Sequence, residues 1–183
     1  MPVDLEGFYE RVADAGYAYG PAFQGLRAAW RDGQDVLAEV ALPEAAGTHD
    51  GYGIHPALLD ATLHPALLLD WSDGGPEDDG KVWLPFTWNQ VSLWAAGAGT
   101  VRVRLSPGAH DKTEREVRVL VTDTTGANVL SVASVTMRPA DLEQLQSAPT
   151  QDDGLFAVEW TPLPAPQGAE VSGAGGWVAL AGG

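Results

Sequence analysis

The sequence predicts an α+β fold in which an antiparallel sheet wraps a single central helix. Three observations predict it. The run "GIHPALLDATLHPALLLD", residues 53–70, is apolar nearly all round at helical spacing. "TVRVRLS" and "REVRVLVTD" alternate between apolar and polar residues, and "RDGQ" and "TTGAN" join strand candidates closely enough for antiparallel pairing. A helix without a wet face needs an enclosing layer, and strands with one apolar face supply it.

Each element follows in chain order. Residues 4–15 read as a short amphipathic helix with Asp4 as N-cap, Leu5, Phe8, Tyr9 and Val12 on one face, and Gly16 as its stop. "FQGLRAAW" and "DVLAEVALP" are two strands of a hairpin, followed by a loop over residues 44–53. Pro56 suits the first turn of the central helix, where its missing N–H would have no intrahelical partner. Leu58, Leu59, Leu63, Ala66, Leu67 and Leu69 then cover most of the circumference. Pro65, inside that run, removes a backbone hydrogen bond and crowds the carbonyl of Ala61, so a kink or break is expected near Asp60 and His64. After the acidic, glycine-rich loop "WSDGGPEDDGK" come four strands: "VWLPFTWNQVSLW", then "TVRVRLS", "REVRVLVTD" and "VLSVASVTM". In the middle two, Val101, Val103 and Leu105 oppose Arg102 and Arg104, and Val117, Val119 and Val121 oppose Arg118 and Thr122. Composition turns polar from residue 140. The expected organisation is therefore one domain over residues 1–139, a linker over 140–154, and a further region over 155–183 in which "LFAVEWTPLP" and "WVALAGG" read as strands of a domain that is cut short.

Composition excludes several function classes. With a formal net charge of −15 and only ten Lys and Arg, none in a run, the chain lacks what a phosphate backbone or an anionic membrane surface requires. No stretch approaches the roughly 20 apolar residues of a membrane-spanning helix, and the N-terminus lacks a basic segment followed by an apolar one. There is no cysteine, hence no disulfide, thiolate nucleophile or cysteine metal site, which fits a reducing compartment. A cytoplasmic protein is expected, with neither nucleic acid nor membrane as partner. His55, His64 and Asp60 have no metalloprotease-type spacing, so no metal is expected.

The chemistry-bearing pair is Asp60 and His64, four residues apart in the apolar helix. A buried, unpartnered carboxylate is strongly unfavourable, so Asp60 is either pinned by local hydrogen bonds or held for chemistry. One helical turn separates it from His64, close enough for a hydrogen bond if Pro65 leaves the turn intact. A carbonyl freed by Pro65 is the alternative partner for His64. His55, before a proline, reads as a cap.

Three patterns recur in fixed order: "GYAYGPAFQGL" at residues 16–26, "HPALLDATLH" at 55–64 and "LPFTW" at 84–88. Together they resemble the C-terminal half of the dehydratase domain of modular type I polyketide synthases, over roughly residues 3–139, while "LFAVEWTPL" at 155–163 resembles the segment that opens a following ketoreductase region. The resemblance implies a hot-dog fold, half of a double hot-dog, and dehydration of a 3-hydroxyacyl chain on an acyl carrier protein to a 2-enoyl thioester. It implies no cofactor beyond the carrier's phosphopantetheine. In that chemistry a histidine removes the proton beside the thioester carbonyl and an aspartic acid protonates the departing hydroxyl. Asp60 matches the aspartic acid, and His64 stands where the family has His or Gln as its support. An acid of this kind needs surroundings that disfavour its charged form, and Leu59 and Leu63 are the expected apolar lining. Tyr19, by its place in "YGP", would line the site, with Pro21 and Phe23 shaping the wall and Leu84, Pro85, Phe86 and Trp88 the acyl tunnel; packing alone explains that apolar strand equally well.

The family's histidine lies in its N-terminal unit, in a His-x-x-x-Gly-x-x-x-x-Pro motif that none of His49, His55, His64 and His110 begins. The expected partners are thus the carrier-bound 3-hydroxyacyl chain and the N-terminal dehydratase half, and the chain alone is expected to be inactive. Two other readings stay open: a non-catalytic structural or docking module, and a homodimeric single hot-dog hydratase or thioesterase.

Overall fold

In the computed structural model, residues 1–71 and 81–141 are described. The alternating segments form one antiparallel sheet of seven strands: β1 (Pro2–Val3), β2 (Leu26–Asp32), β3 (Asp35–Ala41), β4 (Lys81–Leu93), β5 (Thr100–His110), β6 (Arg115–Thr122) and β7 (Asn128–Asp141). Their spatial order is β1-β2-β3-β5-β6-β7-β4, which puts β4 at one edge. The period-2 pattern sets the register: Val36 faces Leu105, Val103 faces Val121 and Val40 faces Val101 on the buried side. On the wet side Glu39 lies opposite Arg102, and their side chains meet at 3.3 Å. The Asp32–Asp35 pair leaves a two-residue loop in which Gly33 adopts φ +62°, the conformation that a twist-matched hairpin turn demands. At "TTGAN", Asp123 closes the turn by accepting from the Thr125 and Ala127 amides.

The sheet encloses the interrupted helix, which is the hot-dog arrangement the resemblance implies. Helix α2 (Pro56–Ala61) begins with Pro56 in its first turn and the His55 ring as cap, its Nδ1 accepting the Ala57 amide at 3.1 Å. Pro65 then leaves the Ala61 carbonyl without its i+4 donor, and the chain tightens into a 3-10 turn, His64–Leu68. The expected break is where Pro65 put it. Leu58, Ala61, Leu63, Ala66 and Leu69 are buried against the sheet, whereas Leu59 and Leu67 are half-buried. Complete burial of a side chain such as Leu58 is worth about 1.5–3 kcal/mol, so this short helix is held by packing rather than by its own propensity.

Three boundaries differ from expectation. The first helix, α1, spans Phe8–Asp14, because Gly7 takes a left-handed conformation (φ +62°) that starts the helix afresh. Asp4 therefore caps only the preceding turn, accepting the Glu6 amide at 2.9 Å. Strand β2 begins at Leu26 rather than Phe23, since Pro21 fixes φ for a 3-10 turn over Pro21–Phe23. Strand β7 continues past Pro139 to Asp141. Of the predicted linker, residues 140 and 141 are the end of β7, while residues 142–154 and the region 155–183 lie outside the described residues. Among those described, no helix is long and apolar enough to cross a membrane.

Candidate active site

The break in the central helix presents Asp60 and His64 together. Asp60 lies in the last turn of α2, His64 opens the 3-10 turn, and the irregular turn between them keeps the i,i+4 approach: Oδ2 of Asp60 lies 3.1 Å from Nε2 of His64. The two differ sharply in exposure. The His64 side chain is 1% exposed and that of Asp60 41%. The imidazole is thus part of the core and the carboxyl stands at its surface. This corrects the expectation of an apolar enclosure: Leu63 is buried beneath, Leu59 is only half-buried, and one side of the carboxyl is open within this chain.

Two tyrosines surround the imidazole. Tyr19, from the "YGP" segment, lies against it with ring centroids 3.9 Å apart. Tyr9 comes from α1, 55 residues away in sequence. Its hydroxyl is 3.1 Å from Nδ1 of His64 and also accepts the Leu26 amide at 2.8 Å. A hydrogen-bonded chain therefore runs from the first residue of β2 through Tyr9 and His64 to Asp60. Burial pushes the Tyr9 hydroxyl above the usual tyrosine range, against the downward pull of the Leu26 amide and Arg27. Burial, helped by the nearby Asp60 charge, raises Tyr19 further still. Both phenols are proton-bearing donors at neutral pH.

Sequence reasoning misses Tyr9 as a site residue because its spacing with Leu5, Phe8 and Val12 marks only an apolar helix face. A signal is present: a tyrosine in place of phenylalanine on a buried face brings a hydroxyl that must find a partner.

The other predicted residues lie on two elements, the Pro21–Phe23 turn and strand β4. The turn carrying Pro21 and Phe23 packs against α2, with Pro21 exposed and Phe23 40% exposed. Leu84, Pro85 and Phe86 lie on the edge strand β4. Proline is tolerated there because an edge position needs no ladder N–H, and the register slips between Pro85 and Thr87 to bulge Phe86 outward. Phe86 is 63% exposed beneath the Arg138 guanidinium, which is 4.1 Å from its ring. Tyr17 connects this strand to the "YGP" segment, its hydroxyl accepting the Trp83 amide at 2.5 Å. Chemically, the arrangement is a partly exposed carboxyl whose Oδ2 is held by a buried imidazole.

Residues 1–147 match the family model described as "Polyketide synthase dehydratase N-terminal domain". The chain belongs to the polyketide synthase dehydratase family. Polyketide synthase GfsE of Streptomyces halstedii is 48% identical over 187 residues, covering 100% of this dehydratase chain and 5% of that protein. Mycoketide-CoA synthase of Mycobacterium tuberculosis is 44% identical over 167 residues, covering 90% of this chain and 4% of that one. Among solved structures, a dehydratase studied for substrate selection in the borrelidin and fluvirucin polyketide synthases superposes with a TM-score of 0.64 at 48% identity, covering 76% of this chain and 47% of that chain. The erythromycin dehydratase gives a TM-score of 0.60 at 38% identity, with 74% and 44% covered. The chain thus spans a small fraction of the synthases and about half of each solved dehydratase.

Proposed function

We propose that this chain is the acid-bearing, C-terminal hot-dog unit of a dehydratase that converts a 3-hydroxyacyl thioester on an acyl carrier protein into a 2-enoyl thioester. The observation that carries the reading is the Asp60 carboxyl, held at Oδ2 by a buried His64 and open on its other side. A base furnished by a mate unit takes the proton beside the thioester carbonyl. The C–H electron pair becomes the new double bond, the C–O bond breaks, and Asp60 delivers its proton to the leaving hydroxyl as water. The base is absent from this chain's sequence, so the unit is inactive alone. No cofactor enters beyond the carrier's phosphopantetheine.

Three features support a two-unit protein. The chain covers about half of the solved dehydratases. The β4 edge carries Leu84, Phe86, Val91 and Leu93, followed directly by Trp94, all 38–64% exposed, a row suited to burial against a second unit. Asp60 itself is open on one side, where a mate would shield it from water. The matching family model is described as an N-terminal domain; the C-terminal assignment rests instead on the Asp60–His64 pattern and the missing His-x-x-x-Gly-x-x-x-x-Pro motif.

The test joins this chain to a hot-dog unit bearing that histidine motif and supplies a carrier-bound 3-hydroxyacyl thioester. Enoyl product is expected, and Asp60→Asn is expected to lower turnover by about 10²–10⁴-fold, the usual share of a general acid. Turnover that survives Asp60→Asn rejects the acid role. The exposed β4 row also favours a second reading, a non-catalytic docking module, which complete lack of turnover in the joined protein would support. Activity of the chain as a homodimer without a mate would point to a self-sufficient hot-dog enzyme.

A further inference from the structure

Resting on the dehydratase reading above, we infer that Tyr9 is a positioning residue: its hydroxyl holds the His64 proton on Nε2 and thereby confines the acidic proton of Asp60 to Oδ1. With a neutral imidazole, two hydrogen-bond patterns fit the distances between Tyr9, His64 and Asp60, and they differ in where each proton sits. In the first, the Tyr9 hydroxyl donates to Nδ1 and the Nε2–H donates to Oδ2. In the second, Oδ2–H donates to Nε2 and the Nδ1–H donates to the Tyr9 oxygen.

The Leu26 amide decides between them. It already donates to the Tyr9 oxygen, at 2.8 Å. In the second pattern that oxygen would receive two hydrogens, and the phenol's own proton would be left without a described acceptor in a half-buried place, a loss comparable to a whole hydrogen bond. The first pattern satisfies the Leu26 amide, the Tyr9 hydroxyl, both His64 nitrogens and Oδ2 of Asp60. The Tyr19 ring, 3.9 Å from the imidazole, and the near-complete burial of His64 hold the ring in this plane. The raised Tyr9 hydroxyl keeps its proton across the working range, so the device does not switch off near neutrality.

The consequence is directional. An imidazole that presents a lone pair to Asp60 could take the proton meant for the leaving hydroxyl. An imidazole that presents Nε2–H cannot. It occupies Oδ2 as a donor, and the protonated carboxyl must carry its hydrogen on Oδ1, the oxygen left for substrate. A glutamine at position 64 would be oriented the same way, with its carbonyl toward Tyr9 and its amide toward Asp60.

The experiment labels the histidines of the full chain with 15N and reads ring tautomers by long-range proton–nitrogen correlation near neutral pH. His64 is expected as the Nε2–H form, with the Tyr9 hydroxyl proton showing coupling to Nδ1 across the hydrogen bond. A proton bound to Nδ1 in the wild type overturns the inference, whether or not any variant folds. Tyr9→Phe is expected to give a mixture of tautomers and, in the joined two-unit protein, about a tenfold lower kcat with KM nearly unchanged, the weight of one lost hydrogen bond. An unaltered Nε2–H signal and unaltered kcat in Tyr9→Phe would also overturn it. If the dehydratase reading itself fails, no variant turns over, yet the ring spectra still report on Tyr9.

Discussion

Replacing Gly25 by alanine should loosen the joint on which the site is built. Gly25 is buried where β2 meets both β3 and the central helix. Its N–H donates to the Phe23 carbonyl at 2.8 Å and its carbonyl accepts the Ala41 amide at 2.9 Å. A methyl group there would sit 2.8 Å from the Ala41 carbonyl oxygen, 2.8 Å from Cβ of Ala61 and 3.4 Å from Cγ1 of Val40. The two close neighbours are backbone and a first side-chain carbon, so no rotamer change relieves them. Relief requires α2 to move away from β2, carrying Asp60 with it. Overpacking of this kind costs about 1–3 kcal/mol, and with two contacts at 2.8 Å the upper half, about 2–3 kcal/mol, is expected. At about 2–4 °C per kcal/mol for a chain of this size, Tm should fall by about 4–12 °C. Calorimetry of the full chain measures it, with Gly20→Ala as the control. A methyl added at Gly20 meets nothing within 4 Å and the residue has an ordinary φ of −69°, so its Tm should stay within about 2 °C of wild type. If Gly25→Ala melts within a degree of wild type, or if both variants fall equally, the close-packed joint is refuted.

Further outcomes follow from the same packing. Leu58→Ala, at a position 0% exposed in α2, should cost about 2–5 kcal/mol in urea titration; a loss under about 1 kcal/mol would mean that the helix is not the centre of the core. Tyr9 and Tyr19 have hydroxyls raised above the unfolded value near 10, so their contribution to stability is complete below about pH 10 and drains away as pH climbs through the folded-state values. Ultraviolet titration of the folded chain should show Tyr9 and Tyr19 ionising late, together with alkaline unfolding; ordinary titration of all four tyrosines would contradict the buried pair. Leu84→Ser combined with Phe86→Ser should at least halve the binding of an apolar dye, since these side chains are exposed on the β4 edge, and undiminished binding would place the sticky surface elsewhere.

Much of this protein was determined by its sequence alone, wherever the cause is local. Alternation in Val101, Val103 and Leu105 sets which face of a strand is buried, because the side-chain period of a strand is two. Pro65 breaks the central helix because a ring without an N–H cannot continue it, and Asp60 and His64 sit at the break because their numbering puts them there. The pairing of Asp60 with His64, four residues apart, is equally short-range. What tertiary structure decided is whatever depends on chains far apart in sequence meeting in space. The Tyr9 hydroxyl reaches His64 across 55 residues while holding the first amide of β2. Periodicity could mark Tyr9 as buried but not name its partner. The half-open Asp60 is likewise a product of assembly: apolar neighbours along a helix say what could cover a carboxyl, and only the packing of sheet against helix says which side is left to the solvent.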